Sequence, residues 1–169
     1  MASRPILSLK ARALQLLAQR EHSGLELRRK LLAHARKLAD APEGGAQSER
    51  RARKLAPGVE AEVDALLAWL QEGQHLSESR FVEARLRTRA ARYGNLRIRH
   101  ELAQHGLQPS PEEDAVLAAS EFDRARAVRA RKFHAPPTDA ADRARQARFL
   151  AGRGFSSDVI RRLLRDDDA

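Results

Sequence analysis

The chain has 169 residues, no cysteine, and a formal charge of +9 from 32 Lys and Arg against 23 Asp and Glu. Without cysteine there is no disulfide stapling and no thiolate metal site, which suits a reducing cytoplasm. No apolar run approaches the roughly 18 residues of a membrane span, and Met1 to Lys10 shows no signal-peptide cleavage pattern, so we expect a cytoplasmic chain with no membrane contact. The basic surplus points to a polyanionic partner or an acidic protein face.

The apolar residues follow a helical period throughout. Leu7, Ala11, Leu14 and Ala18 mark one face of a first helix, and Leu27, Leu31, Ala35 and Leu38 mark a second. Ser23 with Glu26 has the spacing of a capping box at its start. The segment 40–58 holds Pro42, Gly44, Gly45 and Pro57 and is expected to be a mobile loop. A third helix carries Val59, Val63, Leu66, Leu67 and Leu70, with Trp69 beside that stripe and partly buried.

Ser77 is positioned to cap a fourth helix, whose buried face is Val82, Leu86, Ala90 and Tyr93. Gly94 and Asn95 turn the chain into a short fifth helix with Ile98 and Leu102, closed near Gly106. Ser110-Pro111-Glu112-Glu113 combines an N-cap, proline at the first helical position and a capping-box glutamate. The sixth helix is expected to run from there to about Lys132, because Pro136 and Pro137 stop it. A seventh helix spans about 138–152. The turn at Gly154 and Ser156 leads into an eighth over 159–165, and Asp166 to Asp168, unfavourable at a helix C-terminus, should fray.

One unit recurs three times in this series. When Leu27, Ile98 and Ile160 are placed in register, Leu31, Leu102 and Leu164 coincide as well. Each copy is a polar or glycine turn followed by a short amphipathic helix. Repeated helical hairpins make a modular binding surface more readily than a catalytic pocket. The reading is all-α, with eight helices in three units: 1–73 with the loop 40–58, 74–135, and a shorter 136–169 with its acidic tail.

Five stretches resemble the family of the bacterial regulatory protein RecX, the modulator of the recombinase RecA. They are Arg20 to Leu31 (REHSGLELRRKL), Leu76 to Arg85 (LSESRFVEAR), Tyr93 to Leu107 (YGNLRIRHELAQHGL), Arg131 to Pro136 (RKFHAP) and Arg148 to Phe155 (RFLAGRGF). One departure concerns turn geometry: the family places glycine and an aromatic before Leu76, whereas this chain has Gln74 and His75, with Gly73 one residue early. The resemblance implies tandem three-helix repeats in an elongated, curved shape, with no enzymatic activity and no cofactor. It further implies a monomer that binds along the helical groove of the RecA filament. There it interferes with ATP hydrolysis, strand exchange and coprotease activity, and it has some sequence-independent affinity for single- or double-stranded DNA.

The residues themselves show little trace of catalysis. There is no phosphate-cradling GxxxxGK and no GxSxG elbow. His100 and His105 sit about 140° apart on a helix and do not share a metal on one face. The candidates are basic. Arg85, Arg89 and Arg92 fall at i, i+4 and i+7 and form one stripe expected to meet the DNA-bound filament. Arg97 and His100 point away from Ile98 and Leu102. Arg28, Arg29 and Lys30 edge the first unit, and Arg129, Arg131 and Lys132 continue the theme on the long helix. The bland reading is a solvated arginine face whose stems cover the core edge. Competing functions are a helical DNA-binding protein of the transcription-factor class, a passive scaffold and, more distantly, an enzyme. Strong preference for one duplex site would mark the transcription factor.

Overall fold

The structure, a computed structural model, describes residues 7–39 and 58–165. All but Gly58 of the segment 40–58, expected to be a mobile loop, and the acidic tail lie outside the described residues. Among these residues there are eight helices and no strand: α1 (Leu9–Gln19), α2 (Gly24–Ala39), α3 (Val59–Glu72), α4 (Glu78–Arg89), α5 (Asn95–Ala103), α6 (Pro111–Lys132), α7 (Ala140–Gly152) and α8 (Ser157–Arg165). The described residues fall into two compact units, divided between Phe81 and Val82.

In the first unit α2 packs on both α1 and α3. Its core is Leu9, Ala13 and Leu16 from α1, Leu27, Leu31 and Ala35 from α2, and Val63 and Leu70 from α3, closed by Leu76. Leu27 and Leu31 are fully buried, so burial falls on one face of an amphipathic helix, where most helix stability in proteins originates. Trp69 remains 41% exposed. The Lys10 ammonium lies 3.8 Å from its ring centroid, and His75 packs beside it.

The turn after α3 keeps a left-handed residue, Gln74, at φ +55°. The amides of His75 and Leu76 both donate to the Leu70 carbonyl, at 2.9 and 3.0 Å. This closes the helix end as a glycine would, at the conformational cost of a side chain in that region. The departure from the family pattern therefore leaves the turn intact.

The second unit is built on α6, which packs against α5, α7 and α8, while α7 and α8 also pack on each other. Its core gathers Ala125 and Val128 from α6, Leu150 from α7, Phe155 from the turn, and Ile160, Leu163 and Leu164 from α8. Ile98 and Leu102 are buried on α5. The repeat register holds: all six residues aligned across the three copies are buried. Ser110 starts α6 with both halves of its capping box in place. Its hydroxyl accepts from the Glu113 amide at 3.2 Å, and the Glu113 carboxylate accepts from the Ser110 amide at 2.8 Å. Asp139 caps α7 through its side chain alone, which accepts from the Asp142 amide at 2.7 Å.

Candidate functional site

The basic residues singled out in the sequence divide into those held by carboxylates and those facing solvent. On α2, Arg28 grips Asp64 through two hydrogen bonds, 2.6 and 3.1 Å, with Glu60 at 3.7 Å. The Arg28 guanidinium and the Asp64 carboxylate each stabilise the other's charged form, so the carboxyl lies below its ordinary range. Arg29 is exposed and has no side-chain partner among the described residues.

Lys30 belongs to a tight cluster at the start of α2. Its ammonium lies 3.0 Å from Glu26 and 3.0 Å from Nε2 of His22. Lysine only donates, so Nε2 accepts and the proton of His22 sits on Nδ1, which donates to the Arg20 carbonyl at 2.9 Å. Burial pushes the His22 imidazole below its usual range, opposed by the backbone hydrogen bond to Arg20. Burial acts upward on Glu26, yet hydrogen bonds from Arg20 and Lys30 outweigh it and lower its carboxyl to about 2.

On α4 the expected three-arginine stripe is shortened. The helix ends at Arg89, and Arg92 lies in the following turn, off the helical stripe. Arginines of α6 take carbonyls of the turn that follows, while the Arg89 carbonyl accepts from the Arg92 and Tyr93 amides. Arg124 donates to Ala90 at 3.3 Å and Tyr93 at 2.8 Å, and Arg131 donates to Ala91 at 3.2 Å. Arg131 therefore has a structural partner. Arg85 and Arg129 are half-buried, and Lys132 is exposed at the end of α6. On α5, His100 is exposed and pairs with Gln104 at 3.1 Å.

A denser arrangement forms where the turn into α5 crosses the turn into α8. Gly94 donates to the Arg153 carbonyl at 3.0 Å, and Leu96 donates to the Gly154 carbonyl at 3.1 Å. A methyl group on Gly94 would lie 2.2 Å from the Gly154 oxygen, so only glycine permits this approach. Beneath the crossing, Glu121 of α6 is buried. It accepts from the Asn95 amide at 2.9 Å, the Ser156 amide at 3.3 Å and the Ser156 hydroxyl at 3.0 Å. One carboxylate thus caps the first turns of two helices. Arg124 completes the node by donating to Asn95 Oδ1 at 2.5 Å.

The crossing brings three guanidiniums around one ring. Arg97, Arg89 and Arg153 lie 4.4, 5.4 and 5.6 Å from the Tyr93 centroid. A single carboxylate, Glu101, faces two of them, at 2.8 Å from Arg89 and 3.4 Å from Arg97. Arg97 also reaches the Gly152 carbonyl at 3.5 Å, and Arg153 lies over Phe149.

Of the residues expected from the sequence, the fold joins Arg89 and Arg97 here. Arg28, Arg29 and Lys30 belong to the first unit, and Lys132 stands at the far end of α6. Sequence reading missed Arg153, Glu101 and Glu121. The signal for Glu121 was present: it stands between Leu117 and Ala125 at a spacing of four, a charge on an apolar face. Arg153 comes from a distant hairpin, and nothing local marks it.

Two RecX family models match the chain: the second three-helix domain over residues 77–110 and the third three-helix domain over 119–164. The Regulatory protein RecX of Herbaspirillum seropedicae is 46% identical over 160 residues, covering 94% of this chain and 90% of that protein. Those of Ralstonia nicotianae and Leptothrix cholodnii are each 44% identical, over 96% and 97% of this chain and 90% and 92% of theirs.

Proposed function

From the premise that this chain belongs to the RecX family of regulatory proteins, we propose that it is a non-enzymatic regulator that binds the RecA filament formed on DNA. It acts as a cytoplasmic monomer, lying along the filament's helical groove and slowing ATP hydrolysis, strand exchange and coprotease activity. The observation that carries this reading is the 46% identity to a protein named as a regulator, over nearly the whole of both chains.

The fold supports it. Each described unit is a set of short helices around a small core, the architecture of a protein that works by presenting surface. The surplus of nine positive charges favours a polyanionic assembly. Arg89 and Arg97, with Arg85 and Arg92 near them in sequence, supply the contact in the second unit; Arg28, Arg29 and Lys30 supply a second edge. Base readout by α5 has little support, because Arg97 rests against Glu101 and the Gly152 carbonyl, at 3.4 and 3.5 Å, beside the Tyr93 ring.

The test is direct. Added to preformed RecA filaments on single-stranded DNA, the protein should slow ATP hydrolysis in a dose-dependent way, with no effect on a filament-independent ATPase. Unchanged hydrolysis at saturating protein would refute the reading.

A further inference from the structure

Three guanidiniums share one ring and one carboxylate at the crossing of the α5 and α8 turns. The side chain of Arg97 is 45% exposed and that of Arg89 is 34% exposed, so both reach solvent. Both are already oriented. Each has an aromatic face against its guanidinium, and Arg97 has a backbone carbonyl as well. A guanidinium held this way loses little rotamer freedom when it takes a ligand, and its paired donors match a phosphate's oxygens.

The counter-charge is incomplete. Glu101 supplies one negative charge to three positive ones. Its Oε2 is shut off from solvent and stands 2.8 Å from Arg89 Nε without the alignment of a hydrogen bond. Its Oε1 reaches Arg97 only at 3.4 Å. A buried carboxylate oxygen without an aligned donor is poorly satisfied, and no carboxylate contacts Arg153 among the described residues.

We propose that Arg89, Arg97 and Arg153 form a clamp for a nucleic-acid phosphodiester, with Glu101 as its resting counter-ion, displaced when the phosphate enters. The proposal rests on the reading that the chain works on a DNA-bound filament, and it deepens that reading by naming the site and its gate. Glu101 keeps Arg89 and Arg97 pointed at one place while no ligand is present, and it competes with the ligand for them. Tyr93 is the ring the three guanidiniums share, and its carbonyl accepts from Arg124.

The experiment uses the full chain and a fluorescein-labelled oligothymidylate, titrated by anisotropy over a series of salt concentrations, with RecA ATPase measured in parallel. Arg97→Gln with Arg153→Gln should weaken binding by about tenfold or more. It should also reduce the slope of log affinity against log salt by about 0.7 for each phosphate that is no longer neutralised. Glu101→Gln should tighten binding several-fold at low salt, because the competitor is gone while the donors remain.

A folded double variant with unchanged affinity and slope overturns the clamp, as does a folded Glu101→Gln that binds more weakly. If the double variant does not fold, Glu101→Gln alone decides. A double variant that loses filament inhibition but binds DNA as before also overturns the proposal, in favour of an acidic protein face. Wild-type protein that leaves RecA hydrolysis untouched refutes the filament reading instead, whatever the DNA titration returns.

Discussion

The turn into α2 and the turn into α5 occupy the same register in their repeats and are closed by different means. Before α2, closure is local. His22, Ser23, Glu26 and Lys30 meet within one hairpin, with Arg20 completing the cluster. Before α5, closure comes from elsewhere in the unit: Glu121 caps the helix from α6, and the backbone of a second hairpin lies against Gly94. The comparison teaches that a repeat motif constrains its own buried leucines while leaving the polar closure of its turn to context. A turn closed locally tolerates change around it. A turn closed at long range ties its stability to residues far along the chain.

The glycines break the comparison most sharply. Gly94→Ala places a methyl group against backbone that has no room to yield, and Gly154→Ala adds a side chain at φ +82° and 2.4 Å from the Arg97 Cβ. Each should cost about 3 kcal/mol or more in urea unfolding followed by far-ultraviolet circular dichroism. In the first unit's turn, one residue past the position that aligns with Gly94, Gly24→Ala meets only Glu78 Oε1 at 3.5 Å and Gln71 Nε2 at 3.9 Å, ordinary contacts. That change should be neutral or stabilising by up to about 1 kcal/mol. Equal losses at Gly24 and Gly94 would mean the two turns are closed alike.

Glu121→Ala removes the acceptor for two backbone amides and a hydroxyl. The expected cost is about 2–3 kcal/mol, because the buried Asn95 amide and the half-buried Ser156 amide are left without that partner. Hydrogen exchange should accelerate at Asn95 and Ser156 together, since one carboxylate serves both.

Acid should act on the first unit through its local cluster. Glu26 has a folded pKa of about 2, below its ordinary 4.5, so its contribution is complete above about pH 4.5 and is lost as pH falls toward 2. His22 is also lowered, so the native state favours the neutral ring, and stability declines as pH falls through the ordinary histidine range near 6.5. Arg20 and Lys30 are substantially exposed, so solvent screening holds the Glu26 effect on the order of 1 kcal/mol. The check is the difference in stability between wild type and Glu26→Gln across pH 2 to 6. A difference that stays constant over that range removes the ion-pair account.

The smallest effect is at the α3 turn. Gln74→Gly relieves a left-handed side-chain position and should stabilise by about 0.5–1 kcal/mol, part of the gain being offset by the freer unfolded chain. A decrease in stability there would mean that the Gln74 side chain contributes more than its backbone conformation costs.

The local code made the helices legible. Ser110-Pro111-Glu112-Glu113 specifies a helix start through bonds among neighbours, and it forms as read. The recurring apolar residues at spacing four specify a buried face, because a helix returns to the same side every 3.6 residues, and Leu27, Ile98 and Ile160 are buried accordingly. The arginine stripe on α4 was less legible. Helical spacing places Arg92 above Arg85 and Arg89 only while the helix continues, and α4 stops at Arg89 where Arg124 and Arg131 take the next carbonyls. By itself the sequence determined what depends on neighbours within a turn or two: helix starts, the repeat register and the basic surplus; on α1 it misplaced the buried face, which is Leu9, Ala13 and Leu16, while Leu14 and Ala18 of the face read from the sequence are exposed. Only the tertiary structure decided which arginines meet. Arg153 joins Arg89 and Arg97 because two glycine turns from separate hairpins cross at backbone contact over a buried carboxylate. Such a meeting depends on chain segments distant in sequence finding one another, and no pattern within either segment encodes it.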